Sequence, residues 1–289
     1  MTAITTPASA PSRRRQMLNK VPEITLYFWI IKILCTTVGE TAADNLNDNL
    51  GLGLSKTSYV MTAVLVVALV LQFRVRKYIP GIYWFAVVLL SVVGTLITDN
   101  LVETYNVALT TTTIIFGIAL AVTFAVWFWS ERTLSIHTIY TTKREAFYWL
   151  AILFTFALGT AAGDLTSEKL ALGYLTAVFL FGGAIALVTV AHFWLRLNAV
   201  LAFWVAYILT RPFGASIGDL LSQKRVDGGL GLGTTVTSII FLTTILVVVI
   251  FLAITRRDVS PTDTSLIVEA PHDGAQAGRP VAALEGADA

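Results

Sequence analysis

The chain has 289 residues, of which 56% are hydrophobic and 13% charged, about half the charged share of a soluble domain. That balance excludes a soluble globular domain and marks a polytopic membrane protein, while the net charge of +2 carries little information. One cysteine, Cys35, excludes an internal disulfide and a multi-thiolate metal site.

Taken in chain order, residues 1–20 are rich in Ala, Thr, Ser and Pro, then carry Arg13, Arg14 and Arg15. With no apolar periodicity they are expected to form a disordered tail. No plain hydrophobic region and cleavage site follow the arginines, so no cleaved signal peptide is expected. Eight mostly apolar windows come next: roughly 24–45, 55–73, 80–101, 107–129, 146–165, 172–195, 199–220 and 232–255. Each approaches the ~20 helical residues that a ~30 Å hydrocarbon core requires. Residues 258–289 return to Pro, Asp, Gly and Ala, a second expected disordered tail. The expected fold is all-α, with eight transmembrane helices between residues 21 and 257.

The odd-numbered windows share one pattern. Gly39, Gly94, Gly159 and Gly214 each lie ten residues after a tryptophan (Trp29, Trp84, Trp149, Trp204) and five before an aspartate (Asp44, Asp99, Asp164, Asp219). Seven tryptophans in the whole chain make four chance placements untenable. The glycine spacings are 55, 65 and 55 residues, as if a pair of hairpins had been duplicated. The chain therefore reads as four parallel two-helix repeats, about 21–76, 77–130, 143–196 and 197–257. Two spans per repeat give all four the same orientation, and parallel repeats pack around an axis along the membrane normal.

Charge bias orients them. The ends where repeats begin hold thirteen Lys and Arg residues, among them Arg74, Arg76, Lys77, Arg132, Arg144, Arg196 and Arg256; the opposite loops hold Lys56, Lys169, Lys224 and Arg225. By the positive-inside rule both termini are cytoplasmic and the aspartates face outward. A helix places the motif Trp and Asp ~22 Å apart, near opposite borders of the bilayer. An interfacial belt is the simpler account of the tryptophans, although a belt needs no fixed register; the alternative is a packing role.

KVPEITLYFWIIKILCTTVGETAADNL, with RTLSIHTIYTTKREAFYWLAILFTFALGTAAGDL, resembles a bacterial membrane family carrying a repeat of unknown function (DUF347). The resemblance covers residues 19 to about 257. It implies four tandem copies of two transmembrane segments, in a bacterial inner (plasma) membrane, and implies no activity.

Function therefore rests on the charged positions. The four aspartates could end helices by capping the next short element. Alternatively they form a carboxylate cluster around the repeat axis, since ionisable residues at membrane depth commonly mark ion paths or proton relays. Glu40 has Thr95, Thr160 and Ala215 as its counterparts, which makes it a candidate repeat-specific acid. Two bases, Lys32 and Arg211, stand seven and three residues before their glycines, on one helix face a turn apart. Snorkelling would account for Lys32. Arg211, followed by Pro212, is expected to face inward and pair with Asp44, Glu40 or Asp219. The motif glycines are expected to permit close helix packing.

His137, His192 and His272 are scattered, so no histidine metal site is expected, and no nucleotide loop, nucleophile elbow or zinc motif occurs. No cofactor, enzymatic activity or nucleic-acid partner is expected; the partners implied are the lipid bilayer and a small inorganic cation. The preferred reading is a secondary transporter or channel-like carrier for a cation, a divalent metal such as Mn²⁺ or Mg²⁺, or a proton-coupled ion. Asp44, Asp99, Asp164, Asp219 and Glu40 would bind the ion or a proton, with Lys32 and Arg211 as charge partners. The alternative is a non-transporting scaffold whose repeat motif serves helix packing.

Overall fold

The computed structural model describes residues 19–49, 53–170 and 172–259. The expected tails, with Arg13, Arg14, Arg15 and His272, lie outside these residues except at their inner borders. The described chain forms eight long helices: α1 (Leu26–Asn49), α2 (Leu54–Arg74), α3 (Pro80–Asp99), α4 (Leu109–Glu131), α5 (Thr142–Asp164), α6 (Tyr174–Trp194), α7 (Ala199–Ser222) and α8 (Thr234–Thr255). All eight are long and apolar enough to cross a membrane, and no strand occurs among the described residues.

The helices divide into two layers. α1, α3, α5 and α7 pack in a closed ring, each touching the next and α7 returning to α1. α2, α4, α6 and α8 form an outer layer, with 22% or less of each apolar window buried, against more than half for the inner four. Each outer helix packs on the inner helix of the following repeat: α2 on α3, α4 on α5, α6 on α7 and α8 on α1. It touches its own repeat's inner helix little or not at all. Glycines at positive φ make three of these departures possible: Gly53, Gly173 and Gly233 (φ 74°, 76° and 79°) open α2, α6 and α8 with a backbone that L side chains rarely adopt.

Polar contacts then anchor outer helices to inner ones. Asn100 donates from Nδ2 to Ser58 on α2 and accepts at Oδ1 from Ser55 Oγ (2.8 Å). Asn45 donates to Thr235 on α8, and Ser238 Oγ donates to Thr41 Oγ1 at 2.9 Å.

Equivalent residues of the four repeats meet around the ring axis in layers. Eleven residues before the motif glycines lie Phe28, Tyr83, Tyr148 and Phe203; seven before lie Lys32, Val87, Ile152 and Tyr207; three before lie Thr36, Ser91, Phe156 and Arg211; one after lie Glu40, Thr95, Thr160 and Ala215. All sixteen are buried. A step of four residues keeps a side chain on one helix face, so this stripe is what each inner helix turns toward the others.

The tryptophans belong to this interior, which corrects the belt reading. Trp84, Trp149 and Trp204 are buried and stack among Tyr83, Tyr148 and Tyr207. Trp29 is half-buried and edge-on to Phe28. Trp204 Nε1 donates to the Leu134 carbonyl at 2.9 Å. The fixed ten-residue spacing to glycine follows from packing against neighbouring repeats, which a lipid interface would not impose.

At the basic end, the described chain runs slightly past both expected tail borders. Lys20 is buried and donates to Glu145 Oε2 at 2.6 Å and to the Phe73 carbonyl at 3.2 Å. Glu23 N donates to the Asp258 carbonyl at 2.9 Å, and Tyr78 Oη donates to Asp258 Oδ2 at 2.5 Å. Burial holds the Asp258 carboxyl above its ordinary range, opposed by the Tyr78 hydrogen bond.

A raised folded value means that this docking contributes stability fully present below the unfolded carboxylate value. That stability is lost as pH rises through the folded value. Amide hydrogen exchange at residues 256–259 is expected to quicken as pH is raised through and above the carboxylate range, beyond the intrinsic base-catalysed trend. In Asp258→Asn that excess should vanish; an excess that persists would place the titrating group elsewhere.

Candidate functional site

The site lies where the axial stripe meets the acidic end of the bundle. Arg211 is fully buried in α7, and its guanidinium reaches all three other inner helices. Nη1 donates to the Thr36 carbonyl on α1 at 3.0 Å. Nη2 donates to Glu40 Oε2 on α1 (2.9 Å), to Thr160 Oγ1 on α5 (2.7 Å) and to Thr95 Oγ1 on α3. Glu40, Thr95 and Thr160 are one register position in three repeats, so the fourth repeat's arginine closes a ring built by the other three.

Close approach of the inner helices makes this reach possible. A Cβ on Gly39 would stand 2.7 Å from Ser91 Cβ, on Gly94 2.7 Å from Phe156 Cβ, on Gly159 2.4 Å from Arg211 Cβ, and on Gly214 2.7 Å from Thr36 Cβ. Each motif glycine thus receives the residue three before the glycine of the next repeat, and the cycle closes from the fourth to the first.

Beyond Arg211 the carboxylates converge. Glu40, Asp164 and Asp219 each offer an oxygen, and these three atoms lie within 4.8 Å of one another. Glu40 and Asp219 are buried and Asp164 half-buried. Asp99 is half-buried and within electrostatic reach of Glu40, Asp164 and Asp44. Asp164 and Asp219 thus meet Glu40 directly, Asp99 lies within electrostatic reach of that cluster, and Asp44 within reach of Asp99.

Asp44 and Asp219 stand inside helices, and Asp99, just before a new turn, makes no side-chain cap bond to it. α1 continues past Asp44 to Asn49 and α7 past Asp219 to Ser222, while α3 and α5 pass after Asp99 and Asp164 into π-helical turns, Asn100–Thr104 and Leu165–Lys169. The wider winding keeps the chain helical beyond the acid, which corrects the expectation of punctuation. π turns are frequent at functional sites.

Lys32 does not snorkel. Its side chain is fully buried, with Nζ 3.9 Å from the Phe156 ring centroid and 4.1 Å from that of Tyr207. The lysine stem is too short to reach either border from this layer, so two aromatic faces take the place of water. His137 faces Glu23 at 3.7 Å and His192 bonds the Leu197 carbonyl at 2.9 Å; both are remote from the axis. Thr95 and Thr160 escaped sequence reasoning as arginine acceptors, although sharing Glu40's register was the signal that marks them.

Three oxygen donors from three repeats, with no sulfur or nitrogen donor among them, suit a hard cation such as Mg²⁺, Mn²⁺ or Ca²⁺. One of these acids, Glu40, is already held by an internal cation. Arg211 and a bound ion would thus compete for the same carboxylate.

A family model described as Repeat of Unknown Function (DUF347) matches residues 27–78, 82–133, 147–198 and 202–258. These are the four structural repeats within a few residues. No curated protein and no solved structure matches the chain.

Proposed function

Because the chain belongs to the family built from the DUF347 repeat, whose description assigns no chemistry, we propose its activity from the axial site: a membrane carrier or channel-like pathway for a cation. The observation that carries this reading is the meeting of Glu40, Asp164 and Asp219 oxygens within 4.8 Å. Like charges this close do not persist without compensation; they share protons, meet a basic side chain or hold a cation. A divalent metal, Mn²⁺ or Mg²⁺, is the preferred substrate, since only oxygen ligands are offered. Arg211 holds Glu40 when no ion is bound and yields it when one arrives.

The charge bias of the loops supports placing the acidic end outside a bacterial inner membrane and both termini in the cytoplasm. The cation would then meet the carboxylates from outside. No catalytic step is included. The scaffold reading accounts for the glycines and tryptophans as packing devices, but leaves acids from every repeat at one end of the axis without a purpose.

Flux into proteoliposomes tests the proposal, with Mn²⁺, Mg²⁺, Ca²⁺ and monovalent ions offered in turn. Wild-type protein is expected to carry at least one of them. Asp164→Asn and Asp219→Asn, chosen because they leave the Arg211–Glu40 pair intact, are expected to slow it at least ~10-fold, the loss of one ligand in a few-ligand site. Absence of flux for every ion from folded wild-type protein would sink the carrier reading and leave the scaffold.

A further inference from the structure

The half of the axis on the basic side of Arg211 carries a different chemistry, centred on Lys32. Its Nζ is buried and makes no hydrogen bond, and the Tyr207 hydroxyl, on one of the rings that cover it, is also without a partner. Buried polar groups without partners are rare and call for an explanation.

The ionisable groups that face Lys32 are few. Its own helix brings Cys35 and α7 brings Tyr207 and Arg211, while α5 brings the Phe156 ring and, a turn further on, Tyr148. α3 places Val87 in the same layer and Tyr83 a turn further on, and α8, which also packs on α1, has no titratable residue. No carboxylate is among them; Glu40 lies two turns away and is engaged by Arg211. Of the two axial bases, the guanidinium cannot give up a proton and the amine can.

From Lys32 toward the basic end runs a line of phenols. Tyr207, Tyr148 and Tyr83 lie within electrostatic reach of one another, and the Tyr83 and Tyr148 hydroxyls are 2.5 Å apart. Tyr78 stacks edge-on to Tyr83 at 5.6 Å and donates to Asp258. Exchangeable protons thus mark the axis from Lys32 to the basic surface.

We propose that Lys32 carries the proton that is exchanged for the cation, an inference that rests on the cation reading above. An ion entering the carboxylate cluster displaces Arg211 from Glu40 and adds positive charge near Lys32. The Lys32 ammonium then releases one proton and becomes a neutral amine. The released proton leaves on the basic side of Lys32, where the Tyr148–Tyr83 hydroxyl pair and the Tyr78–Asp258 bond lie between it and the water beyond, each phenol of a bonded pair passing a proton on as it accepts one. When the ion departs, one proton returns and the amine is charged again.

Detergent-purified protein in weak buffer tests this with MnCl₂ and MgCl₂ as probes, tryptophan fluorescence reporting binding and a pH dye reporting released protons. Wild-type protein is expected to release protons in proportion to ion bound. Lys32→Met, permanently neutral, should bind at least as tightly and release at least ten-fold fewer protons; Lys32→Arg, permanently charged, should bind at least ten-fold more weakly. Opposite shifts from two substitutions at one buried position are not what a packing role produces, and Lys32→Gln replaces Lys32→Met if the latter is not recovered folded.

Ion binding with proton release unchanged in Lys32→Met, or without proton release from wild type, overturns the assignment of Lys32 while leaving the cation site standing. No binding of either ion by wild type, together with no flux of any ion, removes the cation reading and this inference with it.

Discussion

Glu40→Met is expected to cost about 3–5 kcal/mol of stability, the range for breaking a buried ion pair from one side, and Arg211→Met less. The two partners are alike in burial but not in what they can do when abandoned. A stranded Glu40 can take up a proton and become a neutral acid, whereas a stranded guanidinium cannot discharge. Arg211 would keep the Thr36 carbonyl and the Thr95 and Thr160 hydroxyls, which accept from its Nη groups without balancing its charge. Asp164 and Asp219 could turn toward it, and that relief sets the lower end of the range. The double variant Arg211→Met/Glu40→Met is expected to regain most of the loss, because apolar replacement of a whole buried pair is commonly neutral or better. Thermal unfolding followed by size-exclusion recovery in detergent checks all three: a drop on the order of 10 °C for Glu40→Met, a smaller one for Arg211→Met, near wild type for the double. A Glu40→Met protein as stable as wild type would show that the pair does not hold the ring together.

The repeats, the spans and the polar axis were legible because four copies in one chain act as their own comparison. Trp, Gly and Asp stood out by sharing a register, and Arg211 and Lys32 by breaking it. Arg211's inward face and its pairing with one of Asp44, Glu40 or Asp219 followed from the cost of charge in hydrocarbon, which leaves few acids within reach; the choice of Glu40 came only from the structure. The swap that seats α2 on α3 and α8 on α1 was not legible. The outer helices are apolar on every side, and no hydropathic face tells such a helix which neighbour to choose. Trp84 and Trp149 misled for a related reason: position along the helix suggests a border, but only packing partners decide whether a ring faces lipid or core. The aspartates looked like helix ends because Asn100–Thr104 and Leu165–Lys169 continue the helix with a π winding that has no distinct signature in composition.

Gly39→Ala is expected to unseat the inner ring, and Ser91→Gly to restore it. The added Cβ would lie 1.9 Å from Ser91 Oγ and 2.7 Å from Ser91 Cβ. Turning the serine hydroxyl away relieves the first clash but not the second, so α1 and α3 must separate. Overpacking of this kind costs about 1–3 kcal/mol where neighbours can yield. Here they yield poorly, because the ring is closed and a shift at one interface is felt at the other three. Removing the Ser91 side chain leaves its backbone carbonyl carbon as the nearest remaining atom, at 3.0 Å, a contact that a small shift absorbs. Gly159→Ala should cost more than Gly39→Ala, since the atoms in its way are Cβ and Cγ of Arg211 (2.4 and 2.3 Å) and moving them also pulls the guanidinium from Glu40. Gly183→Ala, on the outer helix α6 with nothing within 4 Å of the added carbon, is the neutral comparison. Melting temperatures of the four variants should fall in the order Gly183→Ala, Gly39→Ala/Ser91→Gly, Gly39→Ala, Gly159→Ala. If Gly39→Ala melts with Gly183→Ala, the spacing of the inner helices is set somewhere other than at the motif glycines. If Ser91→Gly fails to rescue, the clash is with the helix backbone as a whole and not with the side chain that the glycine receives.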